Sequence, residues 1–429
     1  MKHVISILIL SILSGCVPLQ PPTSGSAPNR QIVQKIIQYE DNIYETNIKT
    51  VQLTPANNTL LPAVTRIKTQ SLRLSFDDLT EEADNYRVML FNCNQNWKPS
   101  GLNSLEYLVD YNEFNITDYE FSFDTQTPYV HYSFDVPPIT RSGNYILAVY
   151  RGDNKQDVIL TKRVMIVNQL IELSPTASNI GLTNLSSFNQ QINFNIRYPN
   201  YELENPIANV NITLRQNQRD GNHIEGLKPS FIREDLKELE YRFFDHQSTF
   251  AAANEYRFFD LRSLIYPGQN VKSVIRTTIP PKAIIQTDKP RTSLAYAEYN
   301  DANGQFNIAP QLNVNGQYTN VTFNLDCERI GFKDDAYLFG ELTGWKVSDQ
   351  YKLVYDATSG LHSGEVLLKQ GHYEYQYLVM KDSVPEYYLE GNHAQSENVY
   401  EIFVYYKPYN ERSDLLIGYY TTQRGGRSK

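Results

Sequence analysis

The sequence predicts an all-β protein made of tandem β-sandwich domains of immunoglobulin-like type. Three observations predict it. Apolar and polar residues alternate in short runs bounded by turn residues, which is the period of strands. The chain is rich in Tyr (32) and Phe (19), and aromatic side chains suit pleated, half-buried surfaces. No long stretch has a helical period; the best helix candidate is the short segment 232–239, IREDLKEL. A length of 429 residues suggests roughly two to four domains. Hydrophobic residues make up 41% of the chain, enough for packed cores. The net charge of -9 argues against a nucleic-acid partner, which would require a basic footprint. Three Cys are too few for a disulfide scaffold.

The first residues set the expected compartment. Met1-Lys2-His3 is a basic start, and Val4 to Leu13 is almost wholly apolar. That run is too short to cross a bilayer as a mature helix and suits a signal-peptide core. Leu13-Ser14-Gly15-Cys16 follows, the pattern of a bacterial lipobox, so Cys16 is expected to be lipidated. The expectation is a signal peptide over 1–15 and a lipidated Pro/Ser/Gly-rich tether over 16–30. No acidic cluster follows Cys16, which points to an outer-membrane anchor facing the periplasm.

Three sandwiches are expected behind the tether, over 31–170, 171–325 and 326–429. In the first, Leu72, Leu74 and Phe76 alternate with Arg73 and Ser75. Further strands are read at 86–91, 121–123, 132–136, 145–150 and 164–167. In the second, Ile192, Phe194, Ile196 and Tyr198 share a face, as do Val210, Ile212 and Leu214. One dry and one wet face is how an antiparallel sandwich strand reads. In the third, strands are read at 321–325, 337–339, 353–355, 366–368, 402–406 and 415–420, with Tyr373, Tyr375 and Tyr377 striping another. The hexapeptide EYRFFD occurs at 240–245 and again at 255–260; it reads either as core strands or as a pair presenting Tyr, Phe and Arg at a surface.

Motifs for chemistry are sparse. The seven His form no zinc pattern, and no nucleophile elbow, Walker loop or dinucleotide fingerprint is present. No catalytic, cofactor or metal residue is therefore assigned. The turn with Asp77, Asp78, Glu81, Glu82 and Asp84 lacks the Gly and spacing of an EF-hand loop and reads as solvated. Cys93 and Cys327 read as buried thiols, with a disulfide as the alternative. Trp97 reads as a loop aromatic capping the first core. The phrase FGELTGW at 339–345 resembles the early hairpin of glycogen-binding-type modules on an immunoglobulin-like sandwich.

The phrases LRLSFDDL (72–79), FNCNQNW (91–97), EYL (106–108), NITDYEFSF (115–123), YVHY (129–132) and SGNY (142–145) occur in one order over some 47–167. In that order the stretch resembles the N-terminal domain of type IX secretion system plug proteins. Residues 254–264, with YPGQ at 266–269, resemble that family's middle region. The resemblance implies a non-enzymatic periplasmic protein that occludes the periplasmic mouth of the large outer-membrane translocon barrel. Its implied partner is that barrel, with the membrane reached through the N-terminal lipid. For the contact surface, Tyr107, Tyr111, Phe114 and Tyr119 in the loop-rich stretch 101–119 are the candidates; the alternative is that they cover the first sandwich. A glycan-binding outer-membrane lipoprotein is the competing function, and a glycan-active enzyme with a carboxylate pair is a third.

Overall fold

A computed structural model describes residues 34–179, 187–381 and 385–424. Cys16, the expected signal peptide and the tether lie outside the described residues. From Lys35 onward the chain forms one compact unit. Its regular structure is nearly all strand, as the alternation dictates, and no described helix is long and apolar enough to cross a membrane.

The first sandwich packs a four-stranded sheet on a six-stranded one. The four-stranded sheet runs in the order Ile48–Pro55, Leu72–Asp78, Val130–Asp135, Asp118–Phe121. The other has Val158–Val167, Gly143–Arg151 and Tyr86–Cys93 at its centre. Between them lie Leu72, Leu74, Phe76, Tyr86, Val88, Leu90, Tyr132, Tyr145 and Leu147, all buried. The apolar run at 164–167 does not alternate because both faces are covered. Val164 and Ile166 enter the first core, while Met165 and Val167 pack outward against Phe403, Tyr405 and Leu416.

The middle sandwich is discontinuous in sequence. One sheet contains Glu172–Asn179, Asn189–Arg197, Glu238–Tyr241 and Phe231–Arg233. The facing sheet orders His223–Glu225, Val210–Gln216, Asn398–Tyr406 and Leu415–Arg424. Val210 opposes Tyr406 and Gln216 opposes Tyr400. Its core therefore combines Ile192, Phe194 and Ile212 with Tyr400, Ile402, Val404 and Ile417.

The third sandwich is inserted between these halves. Its nine-stranded sheet starts at Arg257–Asp260 and includes Lys282–Ile285, Tyr318–Leu325 and His372–Val379. The division expected at 325/326 thus falls inside this sheet, and the final strands belong to the middle sandwich. The physical reason is strand pairing across long sequence separations, which local periodicity does not encode.

Two local expectations also change. The segment 232–239 is a hairpin, with strands Phe231–Arg233 and Glu238–Tyr241 joined by a turn in which Lys237 adopts φ 49°. A helix there would have left Leu239, fully buried in the middle core, without its sheet face. The two EYRFFD copies sit in different environments. Tyr241 and Phe243 are buried while Phe244 is exposed; in the second copy Tyr256, Arg257 and Phe259 are all buried. Mostly core is the outcome.

Candidate partner-contact surface

The loop-rich stretch 101–119 folds along the open side of the first sandwich. Asn103 caps the short 3-10 helix Ser104–Glu106, and Glu106 returns a bond to the Asn103 backbone, a reciprocal capping box that fixes the loop. This places the four expected contact residues differently. Tyr107 is only 3% exposed, its hydroxyl donates to Leu90 O at 2.9 Å, and its ring lies 5.3 Å from Tyr145. It is a core residue and cannot meet a partner. Phe114 is half-buried against the first core, 6.4 Å from Phe134. Tyr111 and Tyr119 are exposed.

The exposed pair has neighbours that the sequence reading missed. Leu105 and Val109 precede Tyr111 in the same loop and are as exposed. Tyr119 continues into Phe121 and Phe123, also exposed. The available signal was the phrase DYEFSFD at 118–124, which alternates acids with aromatics and has no second apolar face.

Behind this surface the first sandwich is locked to the other two. Asp77 and Lys369 are 0% and 1% exposed and pair at 2.7 Å. Tyr318 donates to the same carboxylate at 2.6 Å, His131 lies 2.7 Å from its other oxygen, and the Lys369 ammonium sits 4.2 Å from the Tyr129 ring centroid. Burial opposes the Asp77 charge, yet Lys369 and His131 hold its carboxyl below the ordinary range. Asp78 is buried too, accepting from Tyr86 and Asn47. The acidic turn is therefore not solvated at its start: the Asp77 and Asp78 side chains are internal, whereas Glu81 and Glu82 are exposed. Among the described residues no group of His, Cys, Asp or Glu could hold a metal ion.

The first-to-middle joint is apolar with a charged rim. Trp97 packs on the cluster of Met165, Val167, Phe403, Tyr405 and Leu416, so it seals a joint and not only the first core. The Arg163 guanidinium lies 4.2 Å from its ring centroid and pairs with Asp220 at 2.9 Å. Trp345 has a related setting between Phe339 and Tyr256, with Arg219 5.8 Å from its ring centroid. A ring so occupied is not an open platform for sugar stacking. Cys93 and Cys327 are free and buried; burial pushes both thiols up to about 12, so neither is a reactive thiolate.

A cavity of about 270 Å³ opens beside Arg257, Asp288, Arg291 and Tyr299. Its charges are already engaged: Arg257 binds Glu390 and Asp288, and Arg291 binds Glu390 and Tyr299. The arrangement is structural.

Residues 48–168 match the family model for the type 9 secretion system plug protein 1st domain. The part of the chain matched is the first sandwich, which is similar to a type 9 secretion plug domain. The match spans the sandwich that carries Tyr111, Tyr119 and Asp77, so the exposed aromatics and the anion of the joint are features of the plug domain. Beyond that domain, a crystal structure of a hypothetical protein from Parabacteroides merdae ATCC 43184 is similar at 28% identity with a TM-score of 0.84, covering 91% of this chain and 100% of that one. Escherichia coli alpha-2-macroglobulin activated by porcine elastase reaches a TM-score of only 0.16 at 10% identity, over 89% of this chain and 31% of that one, and carries no argument. No curated protein matches the sequence.

Proposed function

We propose that the protein is a non-enzymatic stopper that occludes the periplasmic mouth of the type 9 secretion outer-membrane barrel while it is idle. The observation that carries this reading is the plug domain at 48–168. The joints support it physically. A stopper has to resist deformation, and the plug domain is tied to its neighbours by a buried ion pair and by a shared apolar cluster. Such contacts oppose hinge motion between sandwiches. The reading includes a cleaved leader over 1–15, lipidation at Cys16 and a periplasm-facing outer-membrane location. A lipid anchor would raise the local concentration of the stopper at its barrel.

The test is a pull-down of the mature protein from outer-membrane extracts under conditions that preserve large complexes. Recovery of a large secretion barrel is expected, and its absence would overturn the assignment. Fractionation of the Cys16→Ala variant in cells lacking the barrel addresses the anchor: release into the soluble fraction is expected, and continued membrane retention would refute lipidation.

A further inference from the structure

The plug domain ends one of its sheets in an edge that is neither covered nor apolar. Asp118–Phe121 is the last strand of its sheet and pairs only with Val130–Asp135. All four of its residues are exposed. Native proteins usually cover, shorten or twist away such an edge, because its free N–H and C=O groups invite another strand.

This edge is held in place. At its start the Ile116 N–H donates to Tyr86 O at 2.9 Å; at its end Ser122 N–H donates to Tyr129 O and Phe123 N–H to Val314 O, both at 2.8 Å. Gln317 of the third sandwich donates to Asp124 O at 2.7 Å. An edge ordered in advance loses little further conformational freedom when a strand is added.

Its two faces differ in chemistry. Tyr119 and Phe121 share one face, their centroids 6.0 Å apart, with Tyr119 5.7 Å from Tyr132 beneath. Asp118 and Glu120 share the other, and Asp124 follows; all three are exposed. The guanidinium on that face, Arg73, is already bound to both oxygens of Asp135. Among the described residues, neither Asp118 nor Glu120 has an ion-pair partner.

We infer that this edge accepts, as an added antiparallel strand, an extended segment of a protein partner carrying Lys or Arg at alternate positions. Basic side chains on the acidic face would neutralise Asp118 and Glu120, and one turned to the other face would meet the aromatic rings. A second copy of the chain is the wrong occupant. Pairing the edge with itself sets carboxylates against carboxylates, and directly opposed like charges destabilise a sheet. The inference rests on this geometry and not on the stopper reading, for which it supplies a contact.

The test places p-benzoylphenylalanine at position 121 or 123 of the full chain, in the cells that make it, with position 266 as an exposed control. Cross-links from 121 and 123 are expected to map to an extended protein segment with alternating Lys or Arg. The double variant Asp118→Lys/Glu120→Lys should lower their yield about tenfold or more while leaving the thermal midpoint unchanged. Cross-links to lipid, to a second copy, or to a segment without such residues would overturn the inference, as would an unchanged yield in the double variant. If the cross-links fail these criteria while the unmodified chain still recovers the barrel, the edge assignment fails and the stopper reading survives.

Discussion

Asp77 shows how far a residue's role can lie from its local sequence. Its neighbours Asp78, Glu81 and Glu82 suggest a wet turn, but its cation, Lys369, comes from 292 positions away. A buried pair of this kind adds little over an apolar replacement, while breaking it leaves an uncompensated charge. Asp77→Ala is therefore expected to cost about 3–5 kcal/mol in urea unfolding, because Lys369 stays buried with no counter-charge. Adding Lys369→Met should recover a large part of that loss. A cost below about 1 kcal/mol for the single variant would place the pair among surface-like bridges and remove it from the joint. Tyr107 makes the same point in reverse. Its loop setting left exposure and burial both open, and its 3% exposure with the bond to Leu90 O reveals it as core.

At the scale of elements, the strands were legible and the straps between them were not. Alternation at 191–198 and 210–214 marks strands because each has one dry face, and the structure has Asn189–Arg197 and Val210–Gln216 there. The segment 290–306 carries no such period. It crosses the start of the third sandwich pinned by buried and half-buried carboxyls: Tyr296 donates to Glu255, Ala302 N–H and Gly304 N–H to Glu374, and Phe306 N–H to Glu341. Gly304 is required there, at φ +82° with its missing Cβ position 2.5 Å from Tyr256. Burial raises these carboxyls, Glu374 to about 8, aided by Asp301 and Glu255, and Glu255 and Glu341 to about 7. Asp301 on the strap rises to about 6, again chiefly through burial. A carboxyl raised in the folded state stabilises fully below its unfolded pKa and loses that contribution as pH rises through the folded value. Glu45 and Glu390 act oppositely: against burial, Arg151 and Lys35 hold the first, and Arg257 and Arg291 the second, at about 2. Their contribution is lost as pH falls below about 4. These raised carboxyls are thus expected to pull the melting temperature down between about pH 5 and 8, and Glu374→Gln to reduce that pull relative to the unmodified chain. A pH 5-to-8 change in melting temperature identical in Glu374→Gln and the unmodified chain would contradict the strap's protonation.

At the scale of the molecule, the discontinuous middle sandwich decides what can be removed. Read locally, 398–424 looks like the tail of a last domain, since its two strands follow the third sandwich in sequence. In the structure they form half of a four-stranded sheet. They supply Tyr400, Ile402, Val404, Tyr406 and Ile417 to the middle core and Phe403, Tyr405 and Leu416 to the joint with the plug domain. Losing even one large core side chain costs about 2–5 kcal/mol, and a whole domain is stable by only about 5–15 kcal/mol. A chain ending at Glu397 should therefore lose the middle sandwich outright. Limited proteolysis read by mass spectrometry is expected to cut such a chain within 189–251, while 257–379 stays protected because its nine-stranded sheet is complete without the tail. The plug domain should become more exposed at Met165 and Val167, whose cover is gone, and the truncated protein should aggregate through that sheet. Continued protection of 189–251 would mean that the middle sandwich closes without its last two strands, and that the three sandwiches are separable units instead of one body.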